Sequence, residues 1–405
     1  MSQTDAGWGA GPSDRYEDLA ARFRPVFAEI RATAVARDGT RRLPHAEIGW
    51  LKEAGFTTLR LAEAAGGHGA SLPELFNLLI ELSQGDSNVT NALRAHFGFT
   101  EDVLCSGCPE WRARWTERIA AGQTIGSGVS ETGEAKVGQF DTILRRRGAA
   151  RVVDGKKFYT TGSLFADWIH LSAQDEDGAP VVAAVSTRAS GVVIDDDWDG
   201  FGQALTASGT AHFTGVVIEP EWIKPDPVRF PYAMAFFQLV HLATLAGIGR
   251  AAAEDVARLV AERRRVYSHG NAGRTGDDPQ IQAVVGRVRG NAYAAGAIVL
   301  KAAEALQRVF EARRAGVDAT GPATLADVEV NQAVTVVTNL VLEATTGLFD
   351  ALGASAVKEG LGLDRYWRNA RTIASHNPRI YRDRIVGAFA VNGTAPPREY
   401  RVGSA

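Results

Sequence analysis

The 405-residue sequence is short of the residues that usually mark special chemistry. It holds two cysteines and two methionines. Two cysteines cannot staple a chain of this length, and a chain this long buries enough apolar surface to fold without disulfides. The pair lies together as "CSGC", Cys105 and Cys108. A closed structural zinc site needs four ligands, and the sequence has no second pair. No strand pattern precedes the motif, as a thioredoxin-like centre requires. Gly107 and Pro109 beside the cysteines make the stretch read as a helix end. Excess charge is also missing: 44 Lys and Arg against 47 Asp and Glu give a formal −3, so nothing draws the chain broadly to nucleic acid or an anionic membrane. No apolar run reaches eighteen residues, which predicts no membrane span. The opening "MSQTDAGWGAGPSDRYEDL" lacks the basic-then-apolar order of a secretion signal. The expectation is a cytoplasmic protein with neither nucleic-acid nor membrane partners.

Several active-site signatures are missing as well. The sequence contains no Walker A loop, no His-Glu-x-x-His and no Gly-x-Ser-x-Gly. "GIGRAAA" at Gly247 imitates a dinucleotide fingerprint but follows a helix pattern rather than a strand, so small residues for close helix packing explain it. The basic run "LRRRGAAR", Arg145 to Arg151, reads as a solvated hairpin edge.

What is present is a change of period. Residues 1–13 are rich in Gly, Ser and Pro and read as disordered. Helical spacing then dominates to about residue 123, as in Leu19, Phe23, Val26, Phe27 and Ile30. From 124 to 225 the runs are short, β-branched and punctuated by Gly, Asp-Gly and Pro, which predicts antiparallel strands and hairpins, one of them at the Asp-Gly of "VVDGKKF". From 226 to 405 the helical period returns in four stretches: Tyr232 to Tyr267, Pro279 to Arg314, Leu325 to Gly353 and Pro378 to Val391. These predict an antiparallel bundle. The expected fold is mostly α with a central β domain.

"RTIASHNPRIYRDRIVG" breaks a helix pattern with Ser-His-Asn-Pro, and no acid lies between Asp364 and Asp383. A histidine at such a break can be aimed into a cavity. Of the other histidines, His96 falls on the inner face of "NALRAHFGF", while His45, His68, His170, His212, His241 and His269 sit in ordinary surface or core patterns. "GSGVSETG" and "KKFYTTGS" place glycines and hydroxyls at strand ends, where backbone and hydroxyl groups can approach a planar polar ligand or simply form tight turns.

Taken in order, these features resemble the acyl-CoA dehydrogenase superfamily. "GVSETG" is similar to the strand that lines the flavin ring, at Val129 and Ser130. "KKFYTTGS" is similar to the segment whose threonine hydroxyl reaches flavin N5, here Thr160, with Thr161 and Ser163 beside it. "LDRYWRNARTI" is similar to a Tyr-Arg-Asp-Ala-Arg segment. In the dehydrogenases a catalytic glutamate usually follows its second arginine by six residues; counted from Arg371, that position is Asn377, next to His376. An amide is no base at neutral pH. "ASHNP", "FYTTGSLFADW" and "DDWDGFGQALTASGT" resemble instead a branch that oxygenates, including dibenzothiophene monooxygenases and sulfur-scavenging flavoproteins.

That resemblance implies reduced FMN supplied by a separate flavin reductase, reaction with O₂ to a C4a-hydroperoxyflavin, and transfer of oxygen to a small, largely apolar organosulfur, amine or aromatic substrate. It implies catalytic roles for His96, His376, Asn377 and Thr160 or Ser163. Imidazole and hydroxyl can donate hydrogen bonds where a carboxylate only accepts. It further implies that Arg265 and the "LGASA" residues Ala354 and Ser355 meet the flavin phosphate of a neighbouring subunit, in a tetramer built as a dimer of dimers. The alternative is an FAD-dependent acyl-CoA dehydrogenase with His376 or a remote carboxylate as base, and a third reading is a non-enzymatic scaffold.

Overall fold

A computed structural model of the chain describes residues 5–133 and 139–399. Eight helices come first: α1 (Tyr16–Ala21), α2 (Arg24–Ala32), α3 (Ala34–Thr40), α4 (His45–Glu53), α5 (Leu72–Gly85), α6 (Ser87–Ala92), α7 (Arg94–Cys105) and α8 (Pro109–Ala120). The α5 start carries a reciprocal cap, with the Ser71 hydroxyl accepting from the Glu74 amide and the Glu74 carboxylate from the Ser71 amide. Cys105 ends α7 and Cys108 caps α8. Residues 5–13 depart from the disordered expectation. The Trp8 ring takes the guanidiniums of Arg250 and Arg289 at 5.1 and 4.2 Å, and the Ser13 hydroxyl donates to Glu74 at 2.5 Å. One aromatic anchor offsets the glycines.

Seven strands follow: β1 (Ile125–Gly128), β2 (Ile143–Arg147), β3 (Ala150–Lys157), β4 (Trp168–Asp175), β5 (Pro180–Ser186), β6 (Val192–Ile194) and β7 (Ala211–Val217). They form one curled sheet in the order β1-β4-β2-β3-β7-β6, with β5 also on β4. Two departures from the expected hairpins appear. β4 pairs in parallel with β1 at one end and β2 at the other. The Asp154-Gly155 step is not a turn but a register irregularity inside β3. A Cβ on Gly155 would meet Thr142 at 2.5 Å, so the glycine serves close packing there. The tight turn is at Gly148, φ +63°, inside the arginine run.

The last third is helical: α9 (Ala233–Glu262), α10 (Pro279–Arg314), α11 (Thr320–Gly347), α12 (Asp364–Ala374) and α13 (Arg382–Asn392). Three helices are long; the fourth wall is made by the short pair α12 and α13. By length and composition α9 could cross a bilayer, but 89% of its apolar window is buried inside the protein: it is the central core helix. Gly247 lets it approach α5, since a Cβ there would lie 2.4 Å from Ser83 Cβ and 2.5 Å from the Ile80 carbonyl. α9 stops at Glu262, short of the expected Tyr267, because Arg263 turns away to donate to the Leu352 carbonyl.

Candidate active site

Two segments of the sheet domain, 159–163 and 203–210, are laced together and hold an unusual backbone. Among the described residues four non-glycines have positive φ, and three of them are here: Tyr159 (56°), Gln203 (52°) and Ala207 (49°). Such conformations persist only where the surroundings enforce them, and they gather at functional sites. The Thr160 amide donates to the Gly209 carbonyl at 3.1 Å and the Gly162 amide to Thr206 at 3.0 Å. A Cβ on Gly162 would lie 2.1 Å from the Ala92 carbonyl, so this turn presses directly on the α6–α7 junction.

The hydroxyls divide into two kinds. Thr160 is fully buried and donates to the Gly209 carbonyl at 2.9 Å. Ser163 is fully buried and donates to the Ser127 carbonyl at 2.8 Å. Both protons are engaged by backbone. Thr161 is half-buried and shares hydrogens with Ser208 at 2.8 Å, which in turn meets Thr206 at 2.7 Å. Val129 is half-buried, and Ser130 is exposed with its carbonyl accepting from the Phe158 amide at 3.0 Å. The Ser130 and Thr161 amides have no acceptor among the described residues.

His96 points inward from α7. Its Nε2 lies 2.7 Å from the Thr57 carbonyl, so that nitrogen carries the proton. Nδ1 is left as a buried acceptor without a partner. Burial lowers the imidazole to about 4, against the opposing pull of the Thr57 bond, and the ring is neutral at pH 7.

His376 follows the end of α12, with its amide on the Ile373 carbonyl at 3.1 Å. Its ring centre is 4.2 Å from that of His241 on α9. Burial first, and then Arg94, lowers His376 to about 3, while the Asn377 side chain acts weakly the other way. Yet the residue keeps an exposed surface. Being closely surrounded and still open to solvent marks a side chain that lines a cleft. Asn377 is half-buried beside it. His241 is held well below its usual value by burial and by Arg94 and His376, and its Nε2 has no partner.

Arg94 closes this group. Its Nε donates to the Phe237 carbonyl at 3.1 Å, and its guanidinium stands 4.8 Å from the Phe237 ring centre. Arg94 therefore gathers His241 and His376, whereas His96, two residues further along α7, faces Thr57 and the longer-range Lys52 and Asp167 instead. Sequence reasoning missed Arg94, His241, Gln203 and the Thr206–Ser208 pair. The signals were faint: a histidine inside the apolar "LVHLATLAG" and an arginine inside "NALRAHFGF".

The remaining predicted residues form a separate surface. Arg265 is exposed, its carbonyl accepting from the Thr275 hydroxyl at 2.8 Å. Ala354 and Ser355 are exposed on a short 3-10 turn, Gly353–Val357. Arg263 donates to Leu352, and a Cβ on Gly353 would lie 2.8 Å from the Tyr267 hydroxyl. The two stretches are thus neighbours of each other. No described hydrogen bond or ion pair joins them to Thr160 or His376. Two small recesses, with room for little more than a water molecule, are bounded by Asp38, Asp86, Asn88 and Arg365 and by Ala92, Leu93 and Gly162.

Comparison with known proteins decides the family. The model for the acyl-CoA dehydrogenase N-terminal domain matches residues 13–123, and that for the C-terminal domain matches residues 239–378. The chain belongs to the acyl-CoA dehydrogenase superfamily. Among its relatives, a probable FMNH₂-dependent monooxygenase of Pseudomonas putida is 26% identical, with 92% of this chain and 94% of that protein aligned. Dibenzothiophene monooxygenase of Rhodococcus qingshengii is 25% identical over 94% of each chain. Solved structures agree. Methanesulfinate monooxygenase from Pseudomonas fluorescens superposes with a TM-score of 0.86 at 26% identity, covering 94% of this chain and 98% of the other. TdsC from Paenibacillus, with FMN and indole, gives 0.86 at 26% over 95% and 98%.

As a superfamily member the chain should accommodate a flavin, and the residues present fit one. A flavin edge alternates hydrogen-bond donors and acceptors. Around His96, Thr161 and His241 the protein offers two neutral imidazoles with unpartnered nitrogens, a half-buried hydroxyl and amides without described acceptors.

Proposed function

We propose that this superfamily member is a two-component monooxygenase. It takes reduced FMN from a separate flavin reductase and inserts one oxygen atom of O₂ into a small organosulfur, amine or aromatic substrate. Bound reduced FMN supplies the two electrons and two protons that let the second oxygen atom leave as water. The observation that carries this reading is the neutral His376–Asn377 pair, which stands where dehydrogenases of the family usually carry a carboxylate base. A proton-abstracting enzyme needs a base poised near neutral pH. Imidazoles lowered to about 3 and about 4 are instead uncharged hydrogen-bonding groups, suited to orienting oxygen atoms. The full-length relatives named above as monooxygenases support the same reading, as does the structural likeness to an FMN-bound protein.

His376 and Asn377 line the cleft, Thr161 offers a half-buried hydroxyl on the turn, and His96 holds a fixed tautomer on α7. Arg265, Ala354 and Ser355 are proposed to meet the flavin phosphate of a neighbouring subunit in a cytoplasmic tetramer. The test couples the purified protein to a flavin reductase and follows O₂ uptake, product and H₂O₂ across sulfides, sulfones, amines and aromatics. His96→Ala and His376→Ala should each lose product while H₂O₂ release rises. Tightly held FAD that bleaches with an acyl-CoA, with no oxygenated product from any class, would sink the proposal in favour of a dehydrogenase.

A further inference from the structure

Two guanidiniums converge on one ring, and one of them, Arg94, acts on His376. Arg94 stands 4.8 Å from the centre of Phe237, and Arg229 stands 5.2 Å from the same centre. They come from different parts of the chain, one from the start of α7 and the other from the segment that leads into α9. Neither forms an ion pair with a described carboxylate. The acids that act on Arg229 at longer range are Asp102 and Glu399. Asp102 is already engaged by the Lys224 ammonium at 3.1 Å and the Phe230 amide at 3.0 Å. Arg94 uses only Nε on a carbonyl, which leaves its terminal nitrogens as donors. Both arginines are half-buried; Arg229 disfavours the charge on Arg94, and Arg94 that on His241 and His376. Burial first, and then Arg229, hold Arg94 down at about 9, while burial lowers Arg229 against the pull of Asp102 and Glu399.

Two like charges set together in a cleft with no carboxylate in direct contact cost stability unless something anionic completes them. The guanidinium fork matches planar or tetrahedral oxyanions in a way an ammonium does not. Around the forks lie Phe237, His241 and His376, an aromatic wall suited to a small organic body.

We propose that Arg94 and Arg229 clamp an anionic headgroup of the substrate, a sulfinate, sulfonate or carboxylate, and so hold its organic part against His241 and His376. This rests on the monooxygenase reading for what happens next, but binding itself does not. The chemistry shared with one rival is oxyanion recognition, the other source being the flavin phosphate; the proximity of His376 favours the substrate.

The experiment is calorimetric titration of the protein without reduced flavin, using benzenesulfinate and benzoate against the neutral methyl phenyl sulfone and benzamide. The anions should bind the wild type about tenfold or more tightly than their neutral counterparts, the scale of one charge-assisted hydrogen bond. Arg94→Met and Arg229→Met should each remove about that tenfold preference and leave neutral binding unchanged. Arg94→Lys and Arg229→Lys, which keep the charge and lose the fork, should fall between and remain usable where a Met variant does not fold. Arg229→Met should also raise the melting temperature of the unliganded protein, an effect opposite to that of losing a structural contact. Equal binding of anions and neutral analogues, or full anion affinity in both Met variants, would overturn the clamp. Variants that weaken FMN but not riboflavin, with anion binding intact, would assign the pair to the flavin phosphate and also overturn it. A protein that binds benzenesulfinate through Arg94 and yet oxygenates nothing would retain the clamp and remove the monooxygenase reading.

Discussion

A histidine whose proton has been driven off is, at neutral pH, a hydrogen-bonding group rather than a charge. His96 illustrates the cost of that state. Its folded value is about 4 against an ordinary 6.5, so the unfolded chain binds the proton more readily. Stability is therefore full above the unfolded value and is lost as pH falls from about 6.5 through 4. The shift is worth on the order of 3 kcal/mol at this fully buried site. His96→Gln should flatten the fall in stability between pH 6.5 and 4, as read from urea midpoints at a series of pH values; an unchanged slope would contradict the assignment. Neighbouring hydroxyls make a second contrast. Thr160→Val removes a buried hydrogen bond to Gly209 and should cost about 1 kcal/mol or more. Thr161→Val should cost little stability and weaken FMN binding. The family pattern in the sequence points to Thr160, because a motif records position and not which way a proton faces. That difference emerges only once the 203–210 segment, forty residues away, is laid alongside.

At the scale of elements, legibility followed locality. Helices were visible because the 3.6-residue period writes the buried face into consecutive residues. The sheet was visible as strands but not as pairings: β1 and β2 both meet β4 in parallel, and nothing local specifies a partner so distant. The Asp-Gly of β3 misled for the same reason, since the same dipeptide suits a hairpin turn or a packed irregularity, and the choice was made by Thr142. The His376 loop was legible as a helix break, whereas Arg94 beside it was not, since an arginine in a helix normally faces water. Gly247 offers a test of element packing. Its absent side chain brings α9 against α5 backbone at Ile80, where no flexible neighbour can give way. Gly247→Ala should destabilise by roughly 1–3 kcal/mol through overpacking, despite the better helix propensity of alanine. An equal or higher urea midpoint would show that the two helices can part without penalty.

For the whole molecule, the outer face of the bundle carries its own message. Leu325 and Val336, eleven residues apart on α11, share one face, and both are exposed, as are Tyr293 on α10 and Val391 on α13. Glu329 and Gln332 lie between the two on that face, so these are separate apolar points rather than a patch, and they are candidate contacts for the tetramer proposed above. The exposed Arg265 and Ser355 turn lies without a described bond to the imidazole cleft, which fits a phosphate contact completed only when another copy is present. The two observations combine into one linkage. Light scattering after gel filtration should give the mass of four 43.2 kDa chains, and Val336→Asp should shift it to smaller species. If the phosphate contact crosses subunits, FMN binds the assembled state better than the dissociated one, and mass action requires that FMN in turn favour assembly. Val336→Asp should then lose FMN affinity without touching a flavin-binding residue, and FMN should restore part of the lost mass. Arg265→Ala should weaken FMN about tenfold, as expected for a lost charge-assisted bond, and leave the mass without flavin unchanged. A monomeric wild type that binds FMN at full strength would break the linkage and confine the flavin site to a single chain.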